Sequence, residues 1–159
     1  MPPRLMLAAL LVATTAGAAR GQPAEGAMLT TISVDQTSIF LQDNNYPSEV
    51  LTNRDGSRSL KTKVGEFTTI LNFYGCGTGE QCRSFQLRAY FSNPRKRGVD
   101  FANRWNRAKR FVKVYVESDR DLVAEMDITV EGGVTRRNLL AALNLYGGVL
   151  KQFREEYNR

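Results

Sequence analysis

From Thr135 to about Tyr157, Leu139, Leu143, Tyr146, Leu150, Phe153 and Tyr157 recur at steps of 4, 3, 4, 3 and 4. That spacing gathers six apolar or aromatic side chains on one stripe of a long helix. Gly147-Gly148 interrupts it, at roughly 1 kcal/mol per glycine relative to alanine, and close approach by another backbone would explain the pair. A second helix is expected after Asp100, which reads as its cap. Phe101, Trp105 and Ala108 fall at i, i+4 and i+7, with Arg104, Arg107 and Arg110 on the opposite side. A first helix starts at Ser33, where Ser33 and Gln36 fit a capping box. It ends over Asn44–Pro47, since Asn45 tolerates the left-handed conformation and Pro47 cannot continue a helix. Val34 and Leu41 align on this helix while Ile39 points elsewhere, so cover on more than one side is expected.

Between the helices the period changes to two. Phe85, Leu87, Ala89 and Phe91 alternate with Ser84, Gln86, Arg88 and Tyr90, the signature of a strand with one buried face. Phe67–Tyr74 is a mostly apolar, β-branched run suited to a central strand. Glu49–Asn53 and Arg58–Val64 flank Asp55-Gly56, a hairpin turn signal. Phe111–Glu117 and Leu122–Val130 form another hairpin around Ser118–Asp121, with Leu122, Ala124, Met126, Ile128 and Val130 facing one way. The order is α-β-β-β-β-α-β-β-α, an α+β fold with an antiparallel sheet packed by helices. There is no internal repeat and no βαβ rhythm.

The N-terminus reads differently. Arg4 precedes the apolar run Leu5–Val12, which small residues extend to Ala19. Leu5 to Ala19 is 15 residues, short of the roughly 20 that span a bilayer. Residues 1–21 are therefore expected to be a cleaved signal peptide, residues 22–30 a flexible lead-in, and residues 31–159 one domain. The expected location is periplasmic or secreted, with no membrane span after cleavage. Loss of Arg4 and Arg20 lowers the net charge from +6 to about +4. Basic charge alone would raise nucleic acid as a partner, but export argues against it. Cys76 and Cys82 are the only cysteines, in CGTGEQC. In an oxidising compartment they should pair, as a structural staple in preference to a redox-active couple. The spacing is not that of a CxxC redox motif, and two thiolates without histidine do not complete a usual zinc site.

Candidate chemistry is sparse. The chain has no histidine, so no imidazole base or ligand is present, and no phosphate-binding or dinucleotide glycine motif occurs. No catalytic, cofactor or metal residue is assigned. Glu125 and Asp127 share a strand face with Glu117 nearby. They could hold a cation or act as an acid/base pair, or form the polar side of an amphipathic strand paired with Arg or Lys. Arg95, Lys96, Arg97, Arg104, Arg107, Lys109, Arg110 and Lys113 form the densest charge feature: a docking patch for an anionic partner, or a solvated face. Arg136 and Arg137 open the last helix against its dipole, which a nearby carboxylate such as Glu131 or an acidic ligand would relieve. Trp105 reads as core.

The segment from Asn103 to Phe153 resembles the YbjN family of bacterial proteins. The likeness rests on Trp105-Asn106 in a helix, Val114-Tyr115 ending a strand, a short acidic turn, Leu122–Asp127 as L-V-x-E-x-D, and Gly132-Gly133 before the last helix. Upstream, LQDNNY looks like the family's LQ-x-x-GY, with Asn45 in place of Gly. The resemblance implies a fold like that of type III secretion chaperones, small α/β domains that often dimerise and hold partner segments. It also implies a role in regulating sensory transduction, and carries no catalytic residues. The expected function is an exported, non-enzymatic binding or regulatory module that recognises a protein or an anionic envelope component. The alternatives are a chaperone-like homodimer holding an exported client, and a small hydrolase using Glu117, Glu125 and Asp127. In the homodimer, the stripe of the last helix would extend into the contact and bury Tyr146 and Tyr157 from two chains.

Overall fold

The computed structural model of the chain describes residues 26–159. The expected signal peptide and the start of the lead-in lie outside those residues. Helix α1 spans Val34–Asp43, and both halves of the Ser33–Gln36 capping box form. It stops where Asn45 takes φ 63°. Strands β2 (Ser48–Thr52), β3 (Arg58–Val64), β4 (Phe67–Tyr74) and β5 (Ser84–Phe91) follow. Then come α2 (Val99–Ala108), β6 (Lys113–Val116), β7 (Leu122–Thr129) and α3 (Arg136–Asn158). Two short strands, β1 (Met28–Leu29) and β8 (Val134–Thr135), complete the set.

The main sheet has six antiparallel strands in the order β2-β3-β4-β5-β7-β6. Its register sets Leu60 beside Leu71, Leu71 beside Leu87, and Leu87 beside Met126. These residues line one face, and all three helices cover it. The core joins Leu41, Leu60, Leu71, Leu87, Leu122, Tyr146, Leu150 and Phe153, each essentially sealed from solvent. Phe153 is its centre, meeting Phe91, Phe101 and Trp105 with ring centroids 4.8, 6.0 and 5.1 Å away. The periodic stripe of α3 is thus the core stripe, joined by Val149. Tyr146 donates its hydroxyl to Ala124 C=O at 2.9 Å, which satisfies a polar group that burial would otherwise penalise. Among the described residues, the opposite face of the sheet carries no helix.

Several local expectations change. Gly98, not Asp100, caps α2. Asn93 folds the preceding loop by bonding Arg97 N–H and C=O, so the helix begins earlier. Asp100 then sits in its first turn, where a carboxylate suits the dipole. The α2 stripe uses Phe101, Ala102 and Trp105, and Ala108 is exposed. Helix α1 buries Val34, Thr37, Ser38, Phe40 and Leu41 and leaves Ile39 exposed, so neutral hydroxyl residues fill out one face and, among the described residues, no second side is covered. Within the expected lead-in, Met28–Leu29 pair with Val134–Thr135, and Ile32 just after it exchanges two 2.9 Å backbone bonds with Cys82. Tyr146 and Tyr157 are buried within their own chain, so the stripe of α3 already packs into this chain's own core. Gly147 faces Val64, whose Cγ1 would lie 3.0 Å from an added Cβ, while Gly148 faces open space. The close approach at the first glycine is by a side chain, with the Val64 backbone carbon 4.0 Å off, and not by another backbone as expected; nothing in the structure explains the second.

Candidate functional site

The end of α2 builds a cationic tip around one exposed ring. Helix α2 stops at Ala108 because Lys109 turns extended. Phe111 then adopts φ 73°, a conformation that bulky side chains rarely take. This turn delays the start of β6 to Lys113, so Phe111 does not open the strand as its apolar character suggests. Its ring is 56% exposed. The Arg110 guanidinium lies 4.7 Å from the Phe111 ring centroid, and Lys109 Nζ lies 5.6 Å from the Trp105 ring. Asn106, Lys109, Phe111, Val112 and Lys113 line a shallow depression of about 260 Å³. Three hydrogen bonds to α2 fix this corner. Trp105 Nε1 donates to Val112 C=O at 3.2 Å, and Asn106 bonds both main-chain groups of Val114 at 2.8 Å. Phe111 escapes sequence reasoning because nothing local marks a positive φ at phenylalanine. The one available signal is an apolar residue placed directly against a run of cations.

The structure divides the candidate cations. Arg104, Arg107 and Arg110 are exposed on or just beyond α2, and Arg95 and Lys96 are exposed in the loop before it. Among the described residues, none of these five forms an ion pair. Arg97 is used internally: Nη2 donates to Tyr157 C=O at 3.2 Å, and its guanidinium lies over Phe101. A cation at the end of α3 suits that helix dipole. Arg95 also lies near the Tyr157 ring, 5.9 Å away. Arg136 and Arg137 stand at the other end of α3, roughly 30 Å off at 1.5 Å per residue. The two groups are therefore separate surfaces. Arg136 is held over the Phe40 ring, 3.8 Å from Asp43. It lines an open groove of about 520 Å³ with Gly26, Asn44, Thr135, Arg137 and Leu140. The carboxylate that relieves it is Asp43; Glu131 pairs with Arg83 instead, at 3.5 Å.

The three candidate carboxylates do meet, on the open face of the sheet, interleaved with cations. Glu125 is 5% exposed. Tyr115 donates its hydroxyl to Glu125 Oε1 at 2.6 Å and accepts from Arg88 Nη2 at 2.6 Å. Lys113 Nζ lies 3.1 Å from Glu125 Oε2 and 3.3 Å from Asp127, and Arg88 lies 3.1 Å from Glu117. Arg88 Nε is 2.7 Å from Glu125 Oε1 but makes no aligned hydrogen bond, so that contact is Coulombic. Burial and the bond to Glu125 push the Tyr115 phenol up to about 12. The bond to Glu125 likewise holds Lys113 above its ordinary value. Both Glu125 oxygens are occupied, and the pairing with Arg and Lys is that of a structural polar face. Among the described residues, no group of three His, Cys, Asp or Glu is arranged to hold a metal ion.

Cys76 and Cys82 are bonded to one another. The bridge closes the loop between β4 and β5, and a single 3-10 turn, Thr78–Glu80, lies inside it. Cys82 is buried and carries the bridge to Ile32. The disulfide thus sits beside the two backbone bonds by which Cys82 holds Ile32 to the sheet. No helix among the described residues is long and apolar enough to cross a membrane.

No curated protein matches this chain. A family model does: YbjN, described as "Putative bacterial sensory transduction regulator", matches residues 33–158. The match runs from the capping serine of α1 to the end of α3 and takes in the Trp105-Asn106 corner, so this chain belongs to the YbjN family.

Proposed function

We propose that this protein is an exported, non-enzymatic binding and regulatory module that recognises an anionic partner of the bacterial envelope through the tip of α2. The carrying observation is Phe111, exposed at positive φ with Arg110 against its ring. Backbone strain concentrates at functional positions, and an exposed ring flanked by cations combines apolar contact with anion attraction. Arg104, Arg107 and Lys109 extend that field along the helix. The family's regulatory description supports a binding role. The apolar run after Arg4 and the Cys76–Cys82 bridge support export.

The test is expression of the full chain, with intact mass and fractionation followed by co-purification from the periplasm. The expected result is a periplasmic species lacking about 21 residues, which retains a partner that Arg107→Glu/Arg110→Glu loses. A chain retained whole in the cytoplasm removes export. Equal capture by the charge-reversed variant removes the tip as the binding surface.

A further inference from the structure

The sheet has two edges, and the structure treats them differently. At β6, both outward main-chain groups of Val114 are taken by the Asn106 amide at 2.8 Å. At β2, the Asn53–Ser57 backbone bond of 2.8 Å, with Gly56 N–H donating to Asn53 C=O, fixes the hydrogen-bonding phase of the hairpin. Antiparallel alternation then turns the main-chain groups of Ser48, Val50 and Thr52 away from β3, toward the free edge. Among the described residues no hydrogen bond reaches Val50 or Thr52 from that side. Val50 is 41% exposed. Helix α1 touches this strand through Ser38 Oγ to Ser48 Oγ, side chain to side chain.

We infer that the β2 edge pairs antiparallel with β2 of a second copy, about a two-fold axis at Val50. The occupant follows from the strand itself. Its outward residues Ser48, Val50 and Thr52 are symmetric about Val50, with hydroxyls at both ends and valine at the centre, while Glu49 would face Leu51 of the second copy between them. Centred on Val50, all three outward residues meet outward residues: Val50 opposite Val50, and Ser48 opposite Thr52 twice. That register forms about six main-chain bonds and two cross-strand hydroxyl pairs. Centring on Glu49 matches fewer outward groups. Pro47, which has no N–H, and the turn at Asn53 end the pairing on either side. Glu49 does not oppose assembly, because Lys61 Nζ lies 2.9 Å from its carboxylate. The contact is isologous and closed. It is small, so the dimer is weak and concentration-dependent. This surface is distinct from the α2 tip.

Val50→Cys places one free thiol at the proposed axis, since the two native cysteines are bonded to each other. Facing residues of a bonded antiparallel pair lie about 5.5 Å apart at Cα, within disulfide reach. The expected result is a disulfide-linked dimer on mild oxidation, formed at least about tenfold faster than by Ile39→Cys, whose exposed thiol on α1 reports random collision. Sedimentation velocity of the unmodified protein should show reversible dimerisation, weakened at least about tenfold by Val50→Lys, an edge-blocking change. Circular dichroism confirms that Val50→Lys is folded. Linking of Val50→Cys no faster than Ile39→Cys overturns the inference, as does a strict monomer at every concentration. Both results stand whether or not the α2 tip binds anything.

Discussion

Asn106 Oδ1 accepts from Val114 N–H, and Asn106 Nδ2 donates to Val114 C=O, each at 2.8 Å. One side-chain amide thus occupies the site that a neighbouring strand would take, and closes an edge that otherwise invites pairing. Removing it leaves two main-chain groups to water. Asn106→Ala is expected to lower stability by about 1–2 kcal/mol, read by urea denaturation. Asn106→Asp keeps the acceptor and loses the donor, and should cost at least as much. No change in either variant would mean that the edge needs no closure.

The two glycines of α3 make an internal comparison. An added Cβ at position 148 meets nothing, whereas at 147 it lies 3.0 Å from Val64 Cγ1. Gly148→Ala should stabilise by about 0.5–1 kcal/mol through helix propensity. Gly147→Ala gains the same propensity but must displace a core valine, which costs about 1–3 kcal/mol. Thermal melts of the two variants are expected to move in opposite directions. Equal stabilisation would show that Val64 yields freely.

The alternation of β5 and β7 and the period of α3 made the layer legible in sequence, because burial on one side dictates both patterns. The candidate site was less so. Arg97 and Arg104 look alike in a charge run, yet one bonds Tyr157 C=O and the other faces water. Distance along the chain also misled, since Arg136 and Tyr157 share a helix but stand at opposite ends of it. Phe111 was hidden because its meaning lies in a backbone angle set by the Trp105–Val112 and Asn106–Val114 bonds.

Alkaline pH should weaken the open sheet face. Tyr115 is raised to about 12 by burial, then by its bond to Glu125. A phenol whose folded pKa exceeds the unfolded value of about 10 contributes its full stability below that value. The contribution is lost as pH rises toward the folded value. Lys113, raised above 10.5 by its bond to Glu125, has the same sign. Stability should therefore fall between about pH 10 and 12. Tyr115→Phe should be less stable near neutrality by about 1 kcal/mol and show a shallower alkaline loss. Parallel pH profiles for the two proteins would contradict this coupling.

The disulfide closes a short loop, with a sequence separation of 6, so its chain-entropy contribution should sit at or below about 2 kcal/mol. Cys76→Ser/Cys82→Ser should fold with a modestly lower melting temperature. Amide exchange should rise most at Ile32, which is held by Cys82. An unfolded double variant would show that the bridge carries far more than loop entropy.

The central claim, that the α2 tip is the binding surface, meets its most direct test in living cells. A photo-crosslinking amino acid is placed at Phe111 and, in a control, at Ile39, which is 54% exposed on α1. The account predicts one defined adduct from position 111, none from position 39, and its loss on adding Arg107→Glu/Arg110→Glu. Identical crosslinking from both positions, or an adduct at 111 that ignores the charge reversal, would contradict it.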